Sequence, residues 1–238
     1  MNEFALFRRP PAAVLLIGLL SCGGDLTLPG SSAAGLRVEV VKGDNQQGAV
    51  GQPLPDPVVV VVKTDAGALM AGTRVDFVAQ SAGAGGFDPA TTVTNSIGEA
   101  STRWVLGTAA GVYTAEARVV AADTSIQPAA SFQAAALAGA PDTLRPVGPT
   151  SQPGRRGQPL AQPLVVKTVD EFGNPVPGAQ VKWTTDEGEL SAETSVTGAD
   201  GTASVTWTLG DEIGFQKATA SVEGATGSPV TFTSVVLF

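Results

Sequence analysis

The stretch TASVTWTL, residues 202–209, alternates polar with apolar side chains at a strict period of two. One side of the extended chain carries Ala203, Val205, Trp207 and Leu209. Because successive side chains of a β-strand point to opposite faces, this alternation predicts a half-buried antiparallel strand. The preceding GADGT, residues 198–202, contains Asp-Gly, a dipeptide that favours a tight hairpin turn. The stretch therefore predicts a sheet with one covered face.

The same pattern occurs 103 residues earlier, at ASTRWVL, residues 100–106. Further upstream, GQPLPDPVVV at residues 51–60 returns as GQPLAQPLVV at residues 157–166. Glycines, prolines and a tryptophan keep their register through both copies, which chance does not explain. The sequence therefore predicts two copies of one domain, over residues 36–137 and 138–238.

Each copy is expected to be built from short strands. Residues 179–184 alternate between apolar and polar side chains, and residues 58–62 and 164–166 are continuous apolar runs typical of central strands. Turns rich in glycine and proline separate these stretches, as in EFGNPVPG at residues 171–178. The pattern predicts an all-β protein whose domains are β-sandwiches.

Composition excludes several classes of function. The formal net charge is −8, so a sequence-independent hold on nucleic acid, which needs clustered Lys and Arg, is not expected. The chain contains no histidine, which removes the most common metal ligand and general base and any Ser-His-Asp triad. With 43% hydrophobic residues, the chain can bury a core.

The N-terminal segment has the pattern of a targeting signal. Arg8 and Arg9 precede an apolar run over residues 12–20, and the sequence LLSC ends at Cys22, the single cysteine. This arrangement resembles the bacterial lipobox, which implies a signal peptide at residues 1–21, lipidation of Cys22, and a flexible tether at residues 22–35. Glycines rather than an aspartate follow the cysteine, which favours the outer membrane. An ordinary cleaved signal peptide and a buried structural cysteine are the alternatives.

The body of the chain resembles a known family. VVKTVDEFGNPVPGAQVKWTT at residues 165–185, followed by TGADGTASVTWTLG at residues 197–210, is similar to the bacterial Ig-like group 1 (Big-1) domain of invasins and intimins. Residues 43–77 resemble it too, with Ala68-Leu69-Met70-Ala71 in place of Asn174-Pro175-Val176-Pro177. The resemblance implies two tandem immunoglobulin-like β-sandwich domains, used as stalk or adhesive units on bacterial surfaces, and implies no catalytic residue.

Few residues are candidates for chemistry. The acidic pairs could bind Ca²⁺, although solvated loop charge is favoured: Asp170-Glu171, Asp186-Glu187 and Asp211-Glu212. Trp104, Trp183 and Trp207 occupy inward positions and are expected in the core rather than as sugar platforms. Tyr113 and Phe215, at the start of another strand, are expected to be partly exposed, but two residues do not define a binding face.

Arg155-Arg156 is expected to be an exposed loop charge, and a contact to anionic lipid or polysaccharide is the alternative. The glycine-rich residues 81–89 are expected to form a loop. No catalytic residue, metal ligand or cofactor is predicted. The sequence predicts a non-enzymatic cell-surface lipoprotein acting as a spacer or adhesion module, anchored to the outer membrane through its lipid. A surface protein or polysaccharide could be its ligand. The alternatives are a polysaccharide- or peptidoglycan-binding module and an accessory subunit of a secreted enzyme.

Overall fold

The computed structural model describes residues 35–120 and 126–237. Within these ranges all regular elements are β-strands, and none of the described residues forms a helix that could cross a membrane. The predicted signal peptide, Cys22 and all of the predicted tether except Gly35 lie outside the described residues.

The first half contains nine strands. In chain order they are β1 Leu36–Lys42, β2 Gln46–Ala49, β3 Val58–Thr64, β4 Arg74–Ala79, β5 Gly86–Asp88, β6 Thr91–Val93, β7 Glu99–Val105, β8 Gly111–Val120 and β9 Ile126–Leu137. One sheet has the order β1-β3-β7-β5 and the other β2-β9-β8-β4-β6. The buried side chains of the two sheets meet in a single core, so this half is a sandwich.

The second half repeats this order. Its strands are β10 Thr143–Pro146, β11 Ser151–Arg155, β12 Leu164–Val169, β13 Gln180–Thr185, β14 Glu189–Leu190, β15 Thr194–Val196, β16 Thr202–Val205, β17 Trp207–Thr208, β18 Gly214–Ser221 and β19 Val230–Leu237. They form the sheets β10-β12-β16, β14-β17 and β11-β19-β18-β13-β15 around a second, separate core. The all-β class and the tandem sandwiches are thus confirmed.

The first strand of each half crosses between sheets. β1 pairs antiparallel with β3, whereas β2 pairs parallel with β9 in the opposite sheet. At the crossing, Gly43 has φ +90°, and a Cβ there would lie 2.5 Å from the Pro57 carbonyl oxygen, so only glycine fits. Gln46 fixes β2 because its amide accepts from the Asp56 backbone N–H at 2.8 Å and donates to the Asp56 carbonyl at 3.0 Å. Gln152 makes the same pair of bonds with Gln162.

Each core is centred on a tryptophan of the alternating strand. Trp104 and Trp207 are fully buried, and each indole N–H donates to a loop carbonyl, of Ala84 at 2.9 Å and of Glu187 at 3.0 Å. The next residue after each carbonyl is a glycine, Gly85 or Gly188, and a Cβ on Gly188 would overlap the Thr208 carbonyl oxygen. The loop can therefore approach the tryptophan strand closely enough for the hydrogen bond to form.

Two details differ from the sequence prediction. Residues 202–209 form not one strand but β16 and β17, because the Thr206 N–H donates to the Ser191 hydroxyl at 3.0 Å and interrupts the ladder. The predicted inward residues are nevertheless buried: Ala203, Val205, Trp207 and Leu209. Residues 81–89, predicted as a loop, contain the short strand β5, which pairs with β7.

Two hydroxyl groups are buried without a partner. Thr168 and Ser234 are both 0% exposed, and neither hydroxyl has a hydrogen-bond partner within the described part of the chain. The pairing registers place Val62 and Ala134 at the equivalent positions of the first half. The second core therefore carries polar atoms where the first core is apolar.

Replacing Thr168 with valine is expected to raise the free energy of unfolding of the second half by about 1 kcal/mol, because valine keeps the shape and removes an unpaired hydroxyl. Urea unfolding followed by circular dichroism measures the change. Thr168→Ser is the matched control: it keeps the hydroxyl, loses a methyl group and should destabilise. A valine variant less stable than the native protein would show that the hydroxyl is satisfied.

Candidate functional site: the joint between the two halves

The strongest cluster of buried polar groups lies where the second half meets the first. The loop between β12 and β13 begins at Asp170, whose side chain is buried at 2% exposure. One carboxylate oxygen accepts the Phe172 N–H at 3.0 Å and the Asn174 N–H at 2.8 Å. The other accepts the N–H of Gly139, in the segment between β9 and β10, at 2.9 Å. Asp170 therefore ties its own loop to the chain that joins the halves.

Asn174 carries the contact into the first half. Its side-chain N–H₂ donates to the Thr108 carbonyl at 2.8 Å and to Asp170 at 2.9 Å. Its side-chain oxygen accepts the Ala110 N–H at 2.9 Å. One amide thus pairs with both a donor and an acceptor of the loop between β7 and β8, which fixes the position of Asn174 on the first half.

Apolar contact accompanies these hydrogen bonds. A Cβ added to Gly51, in the first half, would lie 3.3 Å from the Phe172 ring, so the ring packs directly over the glycine backbone. Gly51 is itself held by a bond from its N–H to the Gly107 carbonyl at 2.9 Å. A side chain at position 51 would displace the ring.

The loop between β7 and β8, which contacts Asn174, is held by a hydrogen bond from Tyr113. The Tyr113 hydroxyl donates to the Ala109 carbonyl at 2.8 Å, and Tyr113 is 8% exposed. The prediction that Tyr113 is partly exposed is wrong. Val112, at 68% exposure, is the counterpart of the 84% exposed Phe215, while Tyr113 corresponds to Gln216, which braces the equivalent loop of the second half.

Hydrogen bonds keep the Asp170 carboxylate at the joint ionised. Burial pushes the pKa of Asp170 upward, but the hydrogen bonds from the Asn174 side chain and from the backbone of Gly139, Asn174 and Phe172 outweigh burial together. The net result is a pKa below the ordinary value of 3.8. Asp170 is therefore an anion at neutral pH and accepts from all of these donors.

Only one of the two copies carries this joint. At the equivalent positions of the first half, Asp170, Phe172 and Asn174 are replaced by Thr64, Ala66 and Ala68. The prediction that Asp170-Glu171 is solvated loop charge is wrong for Asp170, which is 2% exposed and accepts hydrogen bonds from its own loop and from Gly139, whereas Glu171 is exposed. A residue-by-residue comparison of the two copies could have identified Asp170 as a residue specific to the second copy.

The other candidate residues are dispersed. Trp104, Trp183 and Trp207 are buried as predicted, and the Trp183 indole N–H donates to the Ser195 hydroxyl at 2.8 Å. Asp186 accepts the Lys217 N–H at 2.8 Å, and Asp211-Glu212 and Arg155-Arg156 lie at exposed positions. Among the described residues, no three of Asp, Glu, His or Cys come together as a metal-binding group.

A protein-family model matches most of the second half of the chain. Residues 161–235 match the bacterial Ig-like domain (group 1). The predicted resemblance is confirmed for these residues, and the first half lies outside the match. No curated protein matches the chain.

The chain is similar to solved structures of bacterial surface proteins. FdeC, described as an Escherichia coli adhesin, shares the fold at 19% identity and a TM-score of 0.50, over 84% of this chain and 64% of that one. The D0-D1 domain of intimin is 21% identical at a TM-score of 0.34, over 84% of this chain and 99% of that one. Invasin, titled a bacterial integrin-binding protein, is 24% identical at 0.38, over 84% and 39%. The chain thus spans less than two thirds of FdeC and of invasin.

Proposed function

Since residues 161–235 are a bacterial Ig-like domain of group 1, we propose that the chain is a non-enzymatic cell-surface module that acts as a spacer or adhesion unit. In this proposal its lipid-modified Cys22 holds it on the membrane, and residues 22–35 form the tether. The two sandwiches present their loops and strand edges to a surface protein or polysaccharide. Binding would rest on contact area rather than on a reactive group.

The observation that carries the proposal is the joint. A spacer must keep its domains at a fixed angle, whereas domains joined only by a short linker move relative to one another by default. Asp170 and Asn174 supply hydrogen bonds from side chains to the linker and to the first half, and Phe172 adds ring packing. These contacts hold the second half in one orientation.

Two further observations support the non-enzymatic and adhesive parts. The sequence contains no histidine, and the titratable residues singled out by the sequence do not converge in the described part of the chain. FdeC, which shares the fold, is named as an adhesin. The surface of this chain is acidic overall, with a net charge of −8, so a partner is expected to be neutral or basic where it touches the loops.

Replacing Cys22 with serine tests the anchor. The native protein is expected in the membrane fraction, with acyl chains on the N-terminal peptide by mass spectrometry, and accessible to protease on whole cells. The serine variant should leave the membrane fraction almost completely, because several acyl chains provide the stable attachment. The control is Ser21→Ala, which keeps a small residue before the cysteine. Equal membrane retention of the serine variant would refute lipid anchoring.

A further inference from the structure

A surface hollow of about 510 Å³ opens beside β13 in the second half. Its lining includes Leu190 and Trp183 together with four polar residues, Lys182, Thr184, Glu189 and Glu193. Trp183 is 1% exposed and so does not offer its ring face. The backbone N–H of Trp183 donates to the Glu193 carbonyl at 2.8 Å, which fixes the loop that carries Glu193 against β13.

The two halves carry different side chains at this place. Position 190 is a phenylalanine in the first half, Phe87. Its ring centroid lies 5.9 Å from that of Phe77 and 5.2 Å from that of Trp104. In the second half the larger aromatic side chain, Trp183, stands in place of Phe77, and the smaller Leu190 stands in place of Phe87 beside the hollow.

The side chains that line the hollow are also more polar in the second half than their counterparts in the first half. The first-half counterparts of Thr184, Glu189 and Glu193 are Val78, Gly86 and Ala90. Hydrogen-bonding side chains thus replace apolar or absent ones around the hollow of the second half. Lys182 adds a donor where the first half has Asp76. The polar side chains of this lining therefore belong to the second copy.

We propose that this hollow binds a saccharide unit that is neutral or carries an amine. Sugar hydroxyls donate and accept at once, which matches a lining that includes the Lys182 ammonium group and the carboxylates of Glu189 and Glu193. The C–H face of a sugar ring suits the half-buried side chain of Leu190. The two glutamates outnumber the single lysine, which disfavours phosphorylated or acidic sugars. The volume is within the usual range for small-molecule sites.

The inference goes beyond the spacer function and does not depend on it. A chain that binds no sugar could still be an anchored spacer, and a chain that is not anchored could still bind sugar. Loss of membrane retention on Cys22→Ser and loss of sugar binding therefore report on separate proposals.

Titration of the ¹⁵N-labelled protein with glucosamine, chitotriose and cellotriose, followed by NMR, tests the site. At least one sugar is expected to shift the amides of residues 182–194 in a saturable way, and the responding sugar distinguishes an amino from a neutral ligand. Leu190→Phe copies the first half, fills the hollow and should weaken binding at least tenfold. Glu193→Ala should weaken it several-fold without affecting folding, because this side chain is exposed.

Glu223→Ala is the matched control, since it removes one exposed carboxylate outside the hollow and should leave binding unchanged. If Leu190→Phe does not fold, Glu193→Ala and Thr184→Val carry the test. Absence of saturable shifts with all three sugars overturns the proposal. So do shifts outside residues 182–194, or binding that survives both Leu190→Phe and Glu193→Ala.

Discussion

Replacing Trp207 with alanine is expected to lower the free energy of unfolding of the second half by about 3 to 5 kcal/mol. The indole is fully buried at the centre of the second core, so its removal leaves a cavity. It also leaves the Glu187 carbonyl with the Thr185 hydroxyl as its remaining donor. Because small domains are stable by only about 5–15 kcal/mol, the variant should be partly unfolded at 37 °C.

Hydrogen exchange with mass spectrometry measures this effect for each half separately. The second half should lose protection in Trp207→Ala, and the first half should lose it in Trp104→Ala, since each tryptophan belongs to one core. Trp207→Phe is the matched control: it keeps most of the packing, loses the indole N–H and should cost less than alanine. Equal loss of protection in both halves from either variant would mean that the two cores unfold as one unit.

The two tryptophans also show what sequence patterns reveal well. Alternation at a period of two placed Trp104 and Trp207 correctly inside, because strand geometry leaves only two faces and the polar residues choose the outer one. Register between the copies was equally secure, because glycines with positive φ recur at turns that no other residue adopts easily, such as Gly98 and Gly201.

Prediction failed where contacts come from distant parts of the chain. The break at Thr206 depends on the Ser191 hydroxyl, and no local pattern announces it. The error for Tyr113 is of another kind, since local alternation already places it on the inward face of β8 with Ala115 and Ala117. Asp170 stands in a turn of polar and glycine residues and looks solvated in isolation. It is buried because Gly139, 31 residues earlier in the chain, and Asn174 of its own loop donate to its carboxylate.

Replacing Asp170 with asparagine is expected to loosen the joint and to lower the free energy of unfolding of the second half by about 2 to 3 kcal/mol. Asparagine has nearly the same shape, but one of its two terminal groups is a donor. That group would face the Gly139 N–H or the N–H groups of Phe172 and Asn174, which would lose their acceptor. Hydrogen bonds to a charged partner are worth about 1.5–3 kcal/mol each.

Residual dipolar couplings measure the order of the joint. In the native protein a single alignment tensor should fit the amides of both halves, because the Asn174 bonds hold them together. In Asp170→Asn, and in Asn174→Ala, the two halves should need separate tensors. If both variants still fit one tensor, the linker alone sets the angle and the proposed joint has no mechanical role.

Acid should reproduce the effect of the asparagine variant. The pKa of folded Asp170 lies below the ordinary 3.8, so the carboxylate binds its proton less readily in the folded than in the unfolded protein. Its stabilisation is therefore complete above about pH 5. It declines as the pH falls through 3.8 toward the lower folded pKa, where protonation removes the charge that the N–H groups need. Native protein should lose its single tensor over that window.

The exposed Asp200 provides the control for acid. Hydrogen bonds from the Thr202 hydroxyl and backbone lower the pKa of Asp200 as well, but Asp200 makes no contact with the joint in the described structure. Asp200→Asn should therefore remain a single rigid unit at neutral pH and still loosen in acid, whereas Asp170→Asn should be loose at both. Suppose instead that Asp170→Asn keeps a rigid joint at neutral pH and still loosens in acid at the native midpoint. The acid transition would then belong to another carboxylate. Asn174 and Phe172 alone would hold the angle between the halves, without the charge of Asp170.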